Sequence, residues 1–395
     1  MSRTLVLISG LALAFPAFAQ SQQPQPATQP APIAGQPKAA PDAPAATPRI
    51  EVVFVLDTTG SMGGLIEGAK QKIWSIANAI ASAKPKPQIR MGLVAYRDRG
   101  DDYVTRLTPL TDDLDALYAD LMKCHASGGG DGPESVNQAL HEAYTKFEWS
   151  ADKSTLRLIY LVGDAPPHMD YENDTKYLDT CSAAIAHGIT INTIQCGGQT
   201  DTTPIWQEIA RKTDGEYLAI EQSGGMTAVA TPFDEELAKL GRDLEGTVVA
   251  YGNREELAAQ TIKMDMAVAN STAPAASPEA SAERACYKAS EAGASSLTGR
   301  NDLVQACIDG KIEAQTIADD QLTDEMKKMT PEERAKFIEA KIEARKQCQA
   351  RIAELGEKRQ LFIKDKVGES KDSFGQAVRD TLAKQAARVG IKYGK

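Results

Sequence analysis

The sequence predicts an α/β fold: a doubly wound, mainly parallel sheet with one antiparallel edge strand, plus a C-terminal all-α region. Three observations predict it. Short β-branched or apolar runs alternate with amphipathic stretches across residues 49–245. Two of those runs are joined by a polar turn instead of a helix, which makes a hairpin and one antiparallel edge. From Glu279 the composition turns to Ala, Glu, Lys, Gln and Arg with few β-branched residues, a helical composition.

Each element has its own warrant. The apolar run from Val52 to Leu56 reads as a buried strand that ends in Asp57-Thr58-Thr59-Gly60-Ser61-Met62. Met62, Leu65, Ile66, Ala69, Ile73, Ile76, Ala77 and Ile80 then recur on one face of a helix. Residues 88–96 read as the second strand, 97–102 as a polar turn and 103–107 as the return strand. A short helix at 113–123 precedes His125-Ala126-Ser127-Gly128-Gly129-Gly130-Asp131-Gly132-Pro133-Glu134. Four glycines there mark backbone bent where side chains would obstruct it. A helix through Val136, Leu140 and Tyr144 follows. Residues 156–162 form a buried strand ending at Gly163-Asp164-Ala165-Pro166-Pro167-His168. Helix 175–187, strand 189–195, helix 204–212, strand 216–220 and a helix within 226–244 complete the alternation. Beyond it, 246–278 reads as an extension and a Ser/Ala/Pro linker, and 279–395 as helical. Thr330-Pro331 is a good cap and first helical position. The heptad pattern breaks at Arg359, so a small bundle or helical arm is expected instead of a long coiled coil.

The first residues read as an address. Arg3, an apolar run from Leu5 to Phe15 and Ala17-Phe18-Ala19 form a cleavable signal peptide over residues 1–19. Residues 20–48, rich in Pro, Ala and Gln, read as an extended tether. The mature chain is therefore expected in the periplasm or secreted, with no transmembrane segment. A formal net charge of −10 argues against nucleic acid as a partner. Six cysteines without a C-x-x-C argue against zinc and redox motifs but permit disulfides in an oxidising compartment. Cys286–Cys307 across a helical hairpin is the pair expected.

Three strand–helix crossings present acids: Asp57 with Thr59 and Ser61, then Asp131 and Glu134, then Asp164. In a doubly wound sheet such loops converge at one end. A divalent ion is the physical reason to gather carboxylates, because bare like charges repel and one protonates. Hard oxygen donors suit Mg²⁺, Mn²⁺ or Ca²⁺. The plainer reading of Thr59 and Ser61 is a helix cap.

These loops resemble those of von Willebrand factor A domains with a metal-ion-dependent adhesion site. Asp57-Thr58-Thr59-Gly60-Ser61 resembles the D-x-S-x-S motif, with Thr in place of the first Ser. Asp131-Gly132-Pro133-Glu134 resembles the D-S-P-E of the A-type domains found in integrin β polypeptides, and Asp164-Ala165 with His168 resembles their D-A-x-x-H. The resemblance covers about residues 50–244. It implies a doubly wound fold and a metal set of Asp57, Thr59, Ser61, Glu134 and Asp164, the last often acting through water. It also implies that Asp131 and the Pro133 carbonyl help hold a neighbouring Ca²⁺. A further flanking site is expected to be absent, because Met62-Gly63-Gly64 stands where it would need acids. The implied function is protein binding, with an Asp or Glu carboxylate of the partner completing the ion's coordination. No catalytic residue is expected. The alternatives are an assembly factor that binds through its helical C-terminal region, and a metal-dependent hydrolase with His168 as its acid/base. Arg99-Gly100-Asp101 matches an integrin-ligand tripeptide, read here as coincidence in a charged turn.

Overall fold

The structure is a computed structural model that describes residues 47–225, 228–273, 276–367 and 373–393. The segment expected to be a signal peptide and nearly all of the expected tether lie outside the described residues. The central strand, β1 (Arg49–Asp57), is buried almost end to end. It lies between two parallel neighbours, so both its faces must be covered. Ile50, Val52, Phe54 and Leu56 face one layer of helices, while Val53 and Val55 face the other.

Helix α1 (Gly63–Ala81) follows, then β2 (Gln88–Tyr96), β3 (Thr105–Thr111), α2 (Leu114–Lys123) and α3 (Val136–Thr145). Next come β4 (Thr155–Gly163), α4 (Tyr177–Ala186), β5 (Ile189–Cys196), α5 (Thr202–Lys212) and β6 (Tyr217–Ile220). The strands lie in the order β3-β2-β1-β4-β5-β6, with β3 alone antiparallel. The doubly wound sheet with one antiparallel edge is as the sequence predicts.

One boundary moves. The return strand runs from Thr105 to Thr111 instead of 103–107, because Tyr96 pairs with Thr105 and lengthens the turn. Pro109 sits within this edge strand, where the register shifts against Met91 and Leu93. A proline is tolerated at such a place.

Beyond β6 come α6 (Asp234–Glu245), α7 (Arg254–Thr272), α8 (Pro278–Ala289), α9 (Ala294–Thr298) and α10 (Leu303–Ile308). The long α11 (Pro331–Val367) and α12 (Ser373–Ala386) end the helical region. Thr330 and Glu333 close a reciprocal cap at the start of α11. These helices are not a separate body. Helix α8 covers a second face of α1, so Trp74 is buried between Tyr118 and Tyr287, with ring centroids 5.6 and 5.8 Å away. Buried Asp115 at the start of α2 is ion-paired with Arg284 (2.7 Å) and Lys288 of α8. Burial alone would raise its carboxyl, but Lys288 and Arg284 hold it well below the usual range. Arg359, where the heptad breaks, bonds Asp234 at 2.6 Å and Glu283 at 2.5 Å, fastening α11 to α6 and α8.

Helix α12 completes the layer beside α1. Phe374, Val378 and Leu382 enter the sheet's core, and Thr381 bonds the Tyr160 hydroxyl at 2.8 Å. Asn192 of β5 and Gln385 exchange two amide bonds of 3.0 and 2.6 Å. The chain leaves the sheet after β6 and returns where Phe374 N–H donates to the Gly224 carbonyl at 3.3 Å. The helices between those points are an insertion before the last helix of the fold. All six cysteines are free, so the expected Cys286–Cys307 pair is corrected. Cys286 packs toward Gly356 among α6, α8 and α11, whereas Cys307 belongs to a different core with Val249, Leu303 and Leu322.

Candidate metal centre at the carboxyl end of the sheet

Strand order reverses between β1 and β4, and in doubly wound sheets ligands bind in the crevice outside that reversal. Asp57 is the last residue of β1, and Asp164 immediately follows β4. Asp57 is fully buried. Its Oδ1 accepts from Thr59 N–H at 2.8 Å and from Thr59 Oγ1 at 2.7 Å, and Thr59 Oγ1 lies 3.4 Å from Ser61 Oγ. Neither hydroxyl caps the 3₁₀ turn Gly60–Met62 or α1, so the helix-cap reading does not hold. Their oxygens stay at the site.

The Gly-rich loop interlocks with the first loop. Gly60 N–H donates to Gly128 O at 3.1 Å, and Ser127 N–H to Thr58 O at 3.2 Å. Gly129 has φ +75°, and a Cβ there would stand 2.8 Å from Glu134 Oε1 and 3.1 Å from Thr59 Cβ. Only glycine lets Glu134 approach Thr59 in this way. The third loop pairs with the second: Glu134 N–H donates to Pro166 O at 2.9 Å, and His168 N–H to Glu134 O at 3.0 Å. Gly163 brings the strands together, since a Cβ there would meet the Tyr96 hydroxyl at 2.6 Å and Asp57 Oδ2 at 3.0 Å. Asp164 is buried, and its Oδ2 accepts from Gln222 Nε2 at 2.6 Å.

The electrostatics follow from this crowding. Burial pushes the Asp57 carboxyl up to about 7 against the two bonds from Thr59, with the Asp164 charge adding to the rise. Burial raises Glu134 to about 9, helped by the charges of Asp57, Asp98, Asp101 and Asp164. The Tyr96 hydroxyl rises too, through burial and then the same acids. Asp57 Oδ2, Glu134 Oε2 and the Tyr96 hydroxyl are buried without a hydrogen-bond partner. Orphaned carboxylate oxygens beside the Thr59 and Ser61 hydroxyls are a donor set that fits a hard divalent cation.

Asp131 does not join this set. It is exposed, and its carboxylate lies 3.6 Å from His168 Nε2, beside Asp98. The Arg99-Gly100-Asp101 tripeptide is tied down. Arg99 is paired with Asp174 and stacked over Tyr171, while Asp101 Oδ2 accepts from Asp98 and Gly129 N–H groups at 3.2 and 3.0 Å.

Several residues escape sequence reasoning. Arg97, read as part of a polar turn, is buried and braces two loops, donating to Thr58 O at 3.1 Å and His125 O at 2.8 Å. Tyr96 reads as one more apolar strand residue, and Gln222 carries no motif at all. Tyr103 packs its ring under the Arg97 guanidinium at 4.5 Å.

Residues 51–230 match the sequence profile of the von Willebrand factor A domain. The chain carries a von Willebrand factor A domain. Relatives include von Willebrand factor A domain-containing protein 7 of Rattus norvegicus, 38% identical over 97 residues, or 25% of this chain and 10% of that protein. A putative ariadne-like RING finger protein of Acanthamoeba polyphaga mimivirus is 23% identical over 50% of this chain and 21% of its own length. The chain thus spans about a tenth to a fifth of these curated relatives. Among solved structures, the conserved hypothetical protein BatB of Bacteroides thetaiotaomicron is 18% identical, covering 44% of this chain and 90% of that one with a TM-score of 0.32. Von Willebrand factor A domains commonly bind other proteins. Among the described residues, no helix is long and apolar enough to cross a membrane.

Proposed function

We propose that this is an exported protein-binding protein whose von Willebrand factor A domain works through a divalent ion, Mg²⁺ first, with Mn²⁺ or Ca²⁺ as substitutes. Asp57, Thr59, Ser61, Glu134 and Asp164 hold the ion. When bound, it supplies a hard Lewis-acid position that accepts an outside oxygen, and an Asp or Glu carboxylate of a protein partner provides it. The observation that carries this reading is the pair of buried, orphaned carboxylate oxygens, Asp57 Oδ2 and Glu134 Oε2, at the strand reversal.

The chain's own residues prepare the site. Thr59 orients the Asp57 carboxylate by two hydrogen bonds and keeps a lone pair free. Gln222 holds Asp164 on its far oxygen, at 2.6 Å. Ser61 is exposed and stands on the open side, where a partner arrives. No residue here is assigned a catalytic role: the protein acts by binding.

The test is capture from the native envelope by the full-length protein, with Mg²⁺ and with EDTA, identified by mass spectrometry. Partners retained in Mg²⁺ should be lost in EDTA and on the Asp57→Ala protein. Binding should also vanish when one Asp or Glu of the partner is replaced by its amide. Retention that ignores both EDTA and Asp57→Ala would overturn the reading.

A further inference from the structure

We propose that Asp98, Asp131 and His168 form a second metal site, of a different chemical class from the first, which binds Zn²⁺ through one imidazole nitrogen and two carboxylates. The first set offers oxygen alone, whereas this one offers a nitrogen, the donor that distinguishes first-row transition ions from Mg²⁺ and Ca²⁺.

The geometry points this way on three counts. First, His168 is buried, and its Nε2 has no hydrogen-bond partner. That nitrogen faces Asp98 Oδ2 at 3.4 Å and Asp131 Oδ1 at 3.6 Å, longer than hydrogen bonds. Ligand atoms bound at Zn–N and Zn–O lengths around a tetrahedral ion lie about 3.3–3.6 Å apart. All three ligand atoms lie within 4.8 Å of one another.

Second, the imidazole is oriented as a ligand. Its Nδ1 is 2.8 Å from Asp170 Oδ1, so that nitrogen carries the proton and Nε2 keeps its lone pair. Carboxylates in this position fix the tautomer of metal-bound histidines and make them more basic. Tyr171 stacks on the ring, with centroids 4.1 Å apart and planes 10° from parallel.

Third, the Asp98 carboxylate is anchored by groups that leave room for an ion. Ser135 Oγ donates to its Oδ1 at 2.9 Å and the Tyr171 hydroxyl to its Oδ2 at 2.8 Å. Oδ2 retains a second lone pair toward His168. Asp131 is exposed, so a fourth position opens to water. The three ligands come from the β2–β3 turn, the Gly-rich loop and the loop after β4, so an ion would clasp the segments that shape the first site's rim.

The test uses the full-length protein freed of metal. Zn²⁺ binding is measured by equilibrium dialysis with Mg²⁺ in large excess, which saturates the oxygen-only set, and separately in the Asp57→Ala protein. One Zn²⁺ should bind in both. Asp131→Asn, at an exposed residue, and His168→Gln should each weaken it by at least the roughly 10–100-fold seen when an outer partner of a metal ligand is lost. Asp170→Asn should fall in that range. Co²⁺ in place of Zn²⁺ should give the visible absorption of a four-coordinate site, lost in His168→Gln. The assignment is overturned if no Zn²⁺ binds. It is equally overturned if binding survives His168→Gln and Asp131→Asn unchanged, or if Ca²⁺ binds with sensitivity to Asp131→Asn but none to His168→Gln. None of these results depends on whether the first set holds Mg²⁺.

Discussion

Mg²⁺ binding to the Asp57 set should expel protons, and the number can be worked out from the two raised carboxyls. At pH 7 a group at about 7 holds half a proton, and one at about 9 holds nearly a whole one. Both carboxylates must be ionised to ligate, so binding should release about 1.5 protons per ion at pH 7, about 1.9 at pH 6 and about 1.0 at pH 8. Calorimetric titration of the full-length protein in two buffers of different ionisation enthalpy gives the count directly. Glu134→Gln should remove nearly one proton from the total at pH 7. Release of fewer than about 0.3 protons at pH 7 would refute the assignment, because it would mean that the ion avoids the carboxyls that burial has raised.

Both acids lie above their ordinary values of 3.8 and 4.5, so the ion-free native state holds protons that the unfolded chain has lost. Its stability should fall as pH rises from about 4 through 9, and thermal melts in EDTA should show that decline. Asp57→Asn keeps an acceptor for Thr59 and removes the buried charge. It should therefore melt higher than the parent in EDTA at pH 8, yet lose the roughly 2.7 kcal/mol that Mg²⁺ contributes at a hundred times its dissociation constant. Gly129→Ala should cost about 1–2 kcal/mol for left-handed backbone and also push Glu134 aside, weakening Mg²⁺ binding in the same titration. Asp115→Ala leaves Arg284 and Lys288 buried without their partner and should cost about 3–5 kcal/mol in urea unfolding. Because the Asp115 carboxyl is depressed, its contribution is present above about pH 4 and is lost as pH falls below that. Phe374→Ala, at a buried position between α1 and the sheet, should cost about 3–5 kcal/mol by the same measurement.

The sheet was legible because its strands are short, buried and bounded by turn residues, and because polar strand ends point to the crevice. Asp57 and Asp164 were readable for the same reason, since each stands where an apolar strand stops, whereas Glu134 was marked by the Gly-rich loop that it closes. What the sequence hid is long-range. Trp74 falls off the periodic face of α1, and its burial depends on α8, some two hundred residues later. Arg359 breaks a heptad pattern because it serves Asp234 and Glu283, which no local spacing reveals. The return strand runs past Pro109 to Thr111, beyond the 103–107 read from the sequence, because an edge strand tolerates a proline where its register shifts. Asp131 sits three residues from Glu134 yet faces His168, since the Gly-rich loop turns its side chains to different places.

The bond between Gly224 and Phe374 has a consequence for biosynthesis. A nascent polypeptide cannot seal the α1 side of its sheet until α12, far downstream of β6, has left the ribosome. Until then, apolar surface from β1, β4 and β5 stands open, and a chaperone has a long interval in which to hold it. Deletions that remove α12 should therefore harm solubility more than deletions of the same size in the turn between β2 and β3.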